Sequence, residues 1–314
     1  MPRSGILMGL GFALIADEDI LYCSDEDAFP FFEIVIFANA LNNQLSAGKW
    51  HMHKVILWPM IAEQDKRILI RVTRSEEGRF LLYCVLGDFQ KGSATGYQLL
   101  EEFEKRLTGV YSPQSIQSLT TARQDILKQL CSEIVANLQQ KYQEKVDAQE
   151  ESHEIFTGEP KIHYCGLSWM GLPIFSKLFD DTLEEHVPDS KDGEMSRHDI
   201  LESILSAKLA TIVMNTVIRA QAHVHSIQIL VDRSLGLYHL INFGVLPNNY
   251  SLELYTSGQP KDLDKIFYDI CSMIENDPAL SIPFTGDMKP YEGLIKLLST
   301  HLTNLQQGYG VYLE

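Results

Sequence analysis

The stretch HYCGLSWMGLPIFSKLF, residues 163–179, decides how this chain is read. Two apolar-rich runs, Ile162 to Trp169 and Leu172 to Phe179, flank Met170 and Gly171. A glycine between two strand-length apolar runs predicts a β-hairpin. This hairpin stands near the midpoint of a 314-residue chain and reads like the start of a domain. A hairpin of this kind at the midpoint implies a first copy upstream.

A counterpart stands near the beginning, in GFALIADEDILYCSD, residues 11–25. Gly11 to Ala16 is strand-like, Asp17-Glu18-Asp19 is a polar turn, and Ile20 to Ser24 is the return strand. An amphipathic helix follows, with Ile34, Phe37, Leu41 and Leu45 at helical spacing and a stop near Gly48. Three strands come next: HKVILWPMI, RILIRVTR and FLLYCVL, with a turn at Ser75 to Gly78. Helices are predicted from Gln98 to Leu107 and from Leu119 to Val146. The second carries Leu127, Cys131, Ile134, Leu138 and Tyr142 on one face. The order is β-β-α-β-β-β-α-α.

The second half repeats this order. After the hairpin comes an acidic loop, Asp180 to Asp199, and then the helix DILESILSAKLATIVMNTVIRA, residues 199–220. The strands VHSIQILVD, LYHLINF and SLELYTS follow. Helices from Lys261 to Glu275 and from Tyr291 to Gln306 close the series, with a loop at Pro278 to Pro290 between them. Local anchors agree: KWHMHKVILW and QAHVHSIQILV both carry His-x-His beside the third strand. The hairpins are offset by 153 (170 − 17) and the histidine pairs by 172 (223 − 51). The difference of 19 is about the length of the acidic loop. The expected fold is α/β (α+β), two domains at 1–150 and 151–314, each a five-stranded antiparallel sheet. The polar segment Glu144 to Glu154 is the expected linker.

Composition narrows the function. The apolar fraction is 45% and the charged fraction 22%, as in folded globular proteins. The net charge of −16 lacks the clustered Lys and Arg that phosphate backbones demand, so nucleic acid is not an expected partner. An anionic membrane surface would repel it too, so no direct membrane insertion is expected. Five widely spaced cysteines without CxxC predict reduced thiols and a cytoplasmic protein, peripheral to membranes only through partners. The apolar run Gly5 to Ala16 has no small-x-small cleavage site and reads as a strand. Ile200 to Ile218 contains Glu202, Lys208 and Asn215 and is short for a membrane span, so it reads as a buried helix.

Motifs of chemistry are sparse. Gly9-Leu10-Gly11 lacks the third glycine and the helix start of a dinucleotide fingerprint, and no GxxxxGK[ST] occurs. The i,i+2 pairs His51 with His53, His223 with His225, and His163 with Cys165 could each place two metal ligands on one strand face. None has a sequence-local third ligand, so no metal or other cofactor is expected. The four histidines remain metal candidates only if the two pairs meet. The acidic loop lacks the spacing of a calcium loop despite Gly193, and its position suits contact with a basic partner surface. No nucleophile elbow and no activated Cys–His pair is legible.

Hairpin, helix, three-stranded meander and two helices is the order of the longin fold, which each half resembles. Roadblock domains share the β-β-α-β-β-β core but carry an extra leading helix, which neither half has. GLPIFSKLF, the polar loop, the apolar helix and SIQILVD carry the likeness best, and it covers nearly the whole chain as a tandem repeat. The resemblance implies a non-catalytic binding platform in vesicle trafficking: an adaptor or regulator of a small GTPase, or a partner of another longin/roadblock-type protein. Nucleotide exchange would be the most it implies of catalysis.

The helix Ile200 to Ile218 is apolar over most of its circumference, with Lys208, Thr211, Asn215 and Arg219 on one narrow face. A helix on one sheet needs a single apolar stripe, so a second layer is expected over it. That layer is either the first half of the chain or a partner, including a homodimer mate. Leu201, Leu205, Leu209, Ile212 and the hairpin-tip Met170 are the expected partner-binding residues. A covered tip would explain why Met-Gly stands where the first hairpin has acids. A PAS/GAF-like ligand-sensing module is the alternative, to be recognised by a roomy apolar pocket.

Overall fold

The computed structural model describes residues 10–61, 64–74, 79–89, 93–145, 160–180, 183, 195–232, 234–258 and 260–311. The turn at Ser75 to Gly78, Gly9 of the GxG motif, and most of the predicted linker and acidic loop lie outside the described residues. The chain is mixed α/β, and every strand pairing described below is antiparallel. It divides into two compact units: Met1–Ile36 with Met52–Glu154, and Phe37–His51 with Ile155–Glu314.

The first unit holds β1 (Gly11–Ala16), β2 (Asp19–Cys23), most of β3 (His51–Pro59), β4 (Lys66–Arg74) and β5 (Phe80–Gly87). It also holds the start of α1 (Phe29–Ser46) and all of α2 (Ala94–Thr108), α3 (Pro113–Gln117) and α4 (Thr121–Lys145). Its strands run in the order β2-β1-β5-β4-β3. The register sets Phe12 against Val85 and Leu14 against Tyr83. Side chains alternate across a sheet, so these residues share one face. There they form a core with Leu99, Phe103, Leu127, Cys131, Ile134 and Leu138. Phe103 of α2 meets Phe12 and Tyr83 edge-on at centroid distances of 5.8 and 5.7 Å. The other face meets α1: a Cβ on Gly11 would stand 3.8 Å from the Phe32 ring. The apolar spacing read for the long helix is thus its buried stripe.

The second unit holds β6 (Lys161–Trp169), β7 (Leu172–Leu178), α5 (Arg197–Ala220), β8 (Ala222–Asp232), β9 (Leu237–Leu246), β10 (Tyr250–Ser257), α6 (Pro260–Ile274) and α7 (Glu292–Val311). Its strands run β8-β9-β10-β6-β7. Counted from the start of each unit, both orders are 2-1-5-4-3. Cys165, Leu167, Leu252 and Leu254 join Leu263, Phe267, Ile270, Leu294 and Leu298 in the core under α6 and α7. The opposite face carries α5, whose Glu202 accepts hydrogen bonds from the Ser176 hydroxyl at 2.8 Å and the Leu178 amide at 3.0 Å. A capping box between Ser196 and Asp199 starts α5, and Gln221 at φ 48° ends it in the left-handed region. Among the described residues α5 is the one helix long and apolar enough to cross a membrane. Here it packs on β7 and β8 instead.

Several local details differ from the sequence reading. The loop with Pro113 contains the short α3, capped by Ser112, and α2 starts at Ala94, four residues earlier than expected. The histidine pairs lie inside β3 and β8 rather than ahead of them. The two hairpin turns, different in sequence, share one conformation at their first position: Asp17 has φ 52° and Met170 φ 47°.

Candidate functional site

Two places in the second unit could do chemistry or binding. The first is an apolar groove at the tip of the β6–β7 hairpin. Gly171, at φ 80°, permits the tight turn and lies against α5: a Cβ there would meet the Met214 Cβ at 3.1 Å. The tip is tied to the β9–β10 turn, where Asn248 and Asn249 have φ 57° and 64°. The Met170 amide donates to the Asn249 carbonyl at 3.2 Å, and the Trp169 indole to the Asn248 carbonyl at 3.0 Å. Between these turns and the end of α5 lies a cavity of about 430 Å³. Met170, Met214, Val217, Ile218, Phe243 and Val245 make its walls apolar, with His223, Asn248 and Ser251 as polar points.

Four exposed apolar side chains stand in or beside this groove. Met170 is 45% exposed, Leu172 51%, Val245 56% and Ile218 63%. The expected cover over the hairpin tip is therefore not supplied within the unit. Leu201, Leu205, Leu209 and Ile212 are placed differently, at 1% exposure or less. They anchor α5 by burial and offer no free surface. Of the polar face read on this helix, Thr211 and Arg219 are exposed, while Lys208 and Asn215 are half-buried.

Ser251 links the groove to a buried carboxylate. Glu253 is 2% exposed, and its Oε1 accepts from the Ser251 and Ser168 hydroxyls, both at 2.7 Å. Burial pushes its pKa up to about 7, against the pull of the two serines. Burial likewise lowers the pKa of His223 on the groove wall.

The second place is a polar cluster at the other end of the same strands. Tyr164 pairs with Tyr255 and Ile162 with Thr256, so His163 is the extra residue of a β-bulge. The bulge breaks strand alternation. Cys165 joins the core under α6 and α7, while His163 leaves the face that simple alternation had assigned to both. His163 Nδ1 lies 2.5 Å from Asp180 Oδ2, and its Nε2 lies 2.9 Å from the Ser257 hydroxyl. Lys161 Nζ holds the other Asp180 oxygen at 2.9 Å. His239 lies 4.8 Å from His163 between ring centroids, bonds Tyr255 through Nδ1 at 2.5 Å, and carries Trp50 edge-on at 4.6 Å. Burial lowers the pKa of His163 despite Asp180, and that of His239 to about 3. No spacing rule could have joined residues 163, 180 and 257. The available signal was a histidine, an aspartate and a serine at three strand ends, which the bulge turns into a cluster.

His53 stacks on Tyr97 at 4.7 Å and shares a 2.8 Å hydrogen bond with its hydroxyl. His225 acts on Asp264, whose pKa burial raises while His225 opposes. His223 lines the groove and His51 begins β3. Among the described residues no group of three or more His, Cys, Asp or Glu side chains could hold a metal ion. All five cysteines are free thiols, and burial pushes Cys131 and Cys271 up to about 12. Such thiols carry no thiolate at neutral pH. Compared with known proteins, the chain matches no family model and no curated protein.

Proposed function

We propose that this protein is a tandem longin-type adaptor or regulator whose second unit docks a small GTPase or another longin/roadblock-type subunit. The observation that carries the reading is the repeated topology: in each unit one helix follows the hairpin, and the strands run 2-1-5-4-3. The apolar groove supports it as a docking place. Its rim of Met170, Leu172, Ile218 and Val245 gives the mobile and branched apolar contacts that protein interfaces bury at their centres. Association with membranes would come through that partner.

The test is titration of the full chain against small GTPases from the same source, nucleotide-loaded and nucleotide-free, by calorimetry or surface binding. Binding should weaken at least tenfold in Ile218→Asp and Val245→Asp, both exposed positions. Absence of binding to every GTPase in either state would remove the GTPase from the reading. Ligand sensing is the second reading, and the cavity volume favours it, since about 300–1,000 Å³ is usual for small-molecule sites. Native mass spectrometry of the purified protein would reveal a retained small apolar molecule.

A further inference from the structure

We propose that Ser257, His163 and Asp180 form a nucleophilic serine relay that accepts an acyl group from small activated esters. The geometry assigns each proton. An ionised carboxylate only accepts, so Asp180 Oδ2 at 2.5 Å requires the hydrogen of His163 to sit on Nδ1. Nε2 then presents its lone pair, and the Ser257 hydroxyl at 2.9 Å donates to it. That is a general base aligned on a nucleophile and oriented by a third group, the pattern that defines such relays whatever the order along the chain.

The surroundings hold this arrangement in place. Lys161 at 2.9 Å fixes Asp180 through its other oxygen. The His163 ring is confined between His239, 4.8 Å away, and Tyr255, 5.0 Å away. Tyr255 is engaged by His239, so it does not compete for His163 Nε2. The lowered pKa of His163 keeps the imidazole neutral at neutral pH, with Nε2 free to accept a proton. Ser257 ends β10 directly before Gly258, whose φ of 124° turns the chain away. Ser257 is 9% exposed, while the Lys161 side chain at the same end is 42% exposed. The relay thus touches the surface at the strand ends, and its enclosure restricts the acyl donor to a small one.

The chemistry balances without a cofactor. Ser257 Oγ bonds to the ester carbonyl carbon as its proton passes to His163 Nε2. The ester C–O bond breaks, and the alcohol leaves with that proton. Water then attacks the acyl carbon and gives a proton to the same Nε2; the acyl–Oγ bond breaks, Oγ takes that proton back, and the acid is released. Ser257 and His163 are the catalytic residues, and Asp180 is a positioning residue.

The experiment is labelling of the full chain with a small fluorophosphonate, read by intact mass and peptide mapping. Here the Oγ–P bond forms and fluoride leaves with the proton taken by His163. One adduct on Ser257 is expected, with a rate that falls as the pH is lowered. Ser257→Ala should abolish it. His163→Gln should slow it about 100-fold or more. Asp180→Asn should slow it and change its pH profile, which a purely structural carboxylate would not do. Unmodified Ser257 in the folded native protein, under conditions that label a control serine hydrolase, overturns the proposal. So does labelling of His163→Gln at the native rate. Should the His163 variant fail to fold, labelling of Asp180→Asn at the native rate and with the native pH profile overturns it equally.

Discussion

Glu253→Gln should make this protein more stable, by an amount that grows with pH. Glu253 is 2% exposed in the second unit, with both serine hydroxyls on Oε1. Its pKa is about 7 in the folded protein, against 4.5 for a free side chain. Between those values the folded state keeps a proton that the unfolded state has released. Stability then falls as pH rises, and the loss is complete above about pH 7. The span from 4.5 to about 7, at 1.36 kcal/mol for each pH unit, gives about 3 kcal/mol. Glutamine keeps an oxygen for the two serines and never ionises. The variant should therefore unfold near the wild-type midpoint at pH 4.5 and be more stable by about 3 kcal/mol at pH 8. Urea unfolding at four pH values between these limits measures this directly. The histidines titrate alike in both proteins and cancel in the difference. Parallel pH profiles for the two proteins would refute the argument, as would a variant destabilised at pH 8.

The same variant exposes the histidine contribution. The pKa of His239 is lowered to about 3 in the folded state, so its stabilising effect is present above 6.5 and lost as pH falls. In Glu253→Gln, where the opposing carboxylate is gone, stability should drop by about 2 kcal/mol from pH 6.5 to 5, followed by the same urea assay. Tyr83→Phe should be neutral or stabilising by about 1 kcal/mol, because the buried Tyr83 hydroxyl has no hydrogen-bond partner among the described residues. Thermal unfolding decides it, and a marked loss would show an unseen partner. Gly96→Ala should destabilise by about 1–3 kcal/mol despite alanine's better helix propensity. The new Cβ would stand 2.2 Å from Leu69 Cδ1 and 2.9 Å from the Phe89 ring, and overpacking outweighs the propensity gain. Leu209→Ala, fully buried on α5, should cost about 2–5 kcal/mol in a denaturant titration.

Much of the architecture is legible in the residues because it follows short-range periods. The apolar positions of α4, Leu127 through Leu138, recur at three and four residues, and these are the ones buried. The hairpin at 163–179 announces itself through a glycine between two apolar runs. Its counterpart at Asp17 has no glycine, yet both turns take positive φ at the matching position. Periodicity could not say which apolar residues of α5 would stay exposed. Ile218 and the buried Leu201, Leu205, Leu209 and Ile212 all read as apolar, and only their packing in three dimensions separates them.

What the sequence by itself determined is the order of the main elements, its duplication and the buried stripe of α4, because backbone propensity and side-chain period act over a few residues. What only the tertiary structure decided is the company of each polar side chain. His163 was read as sharing a face with Cys165. One extra residue in β6 turns it instead toward Asp180 and Ser257, 17 and 94 positions away. Strand alternation holds only while the register is unbroken, and the register is settled by pairing with a distant strand.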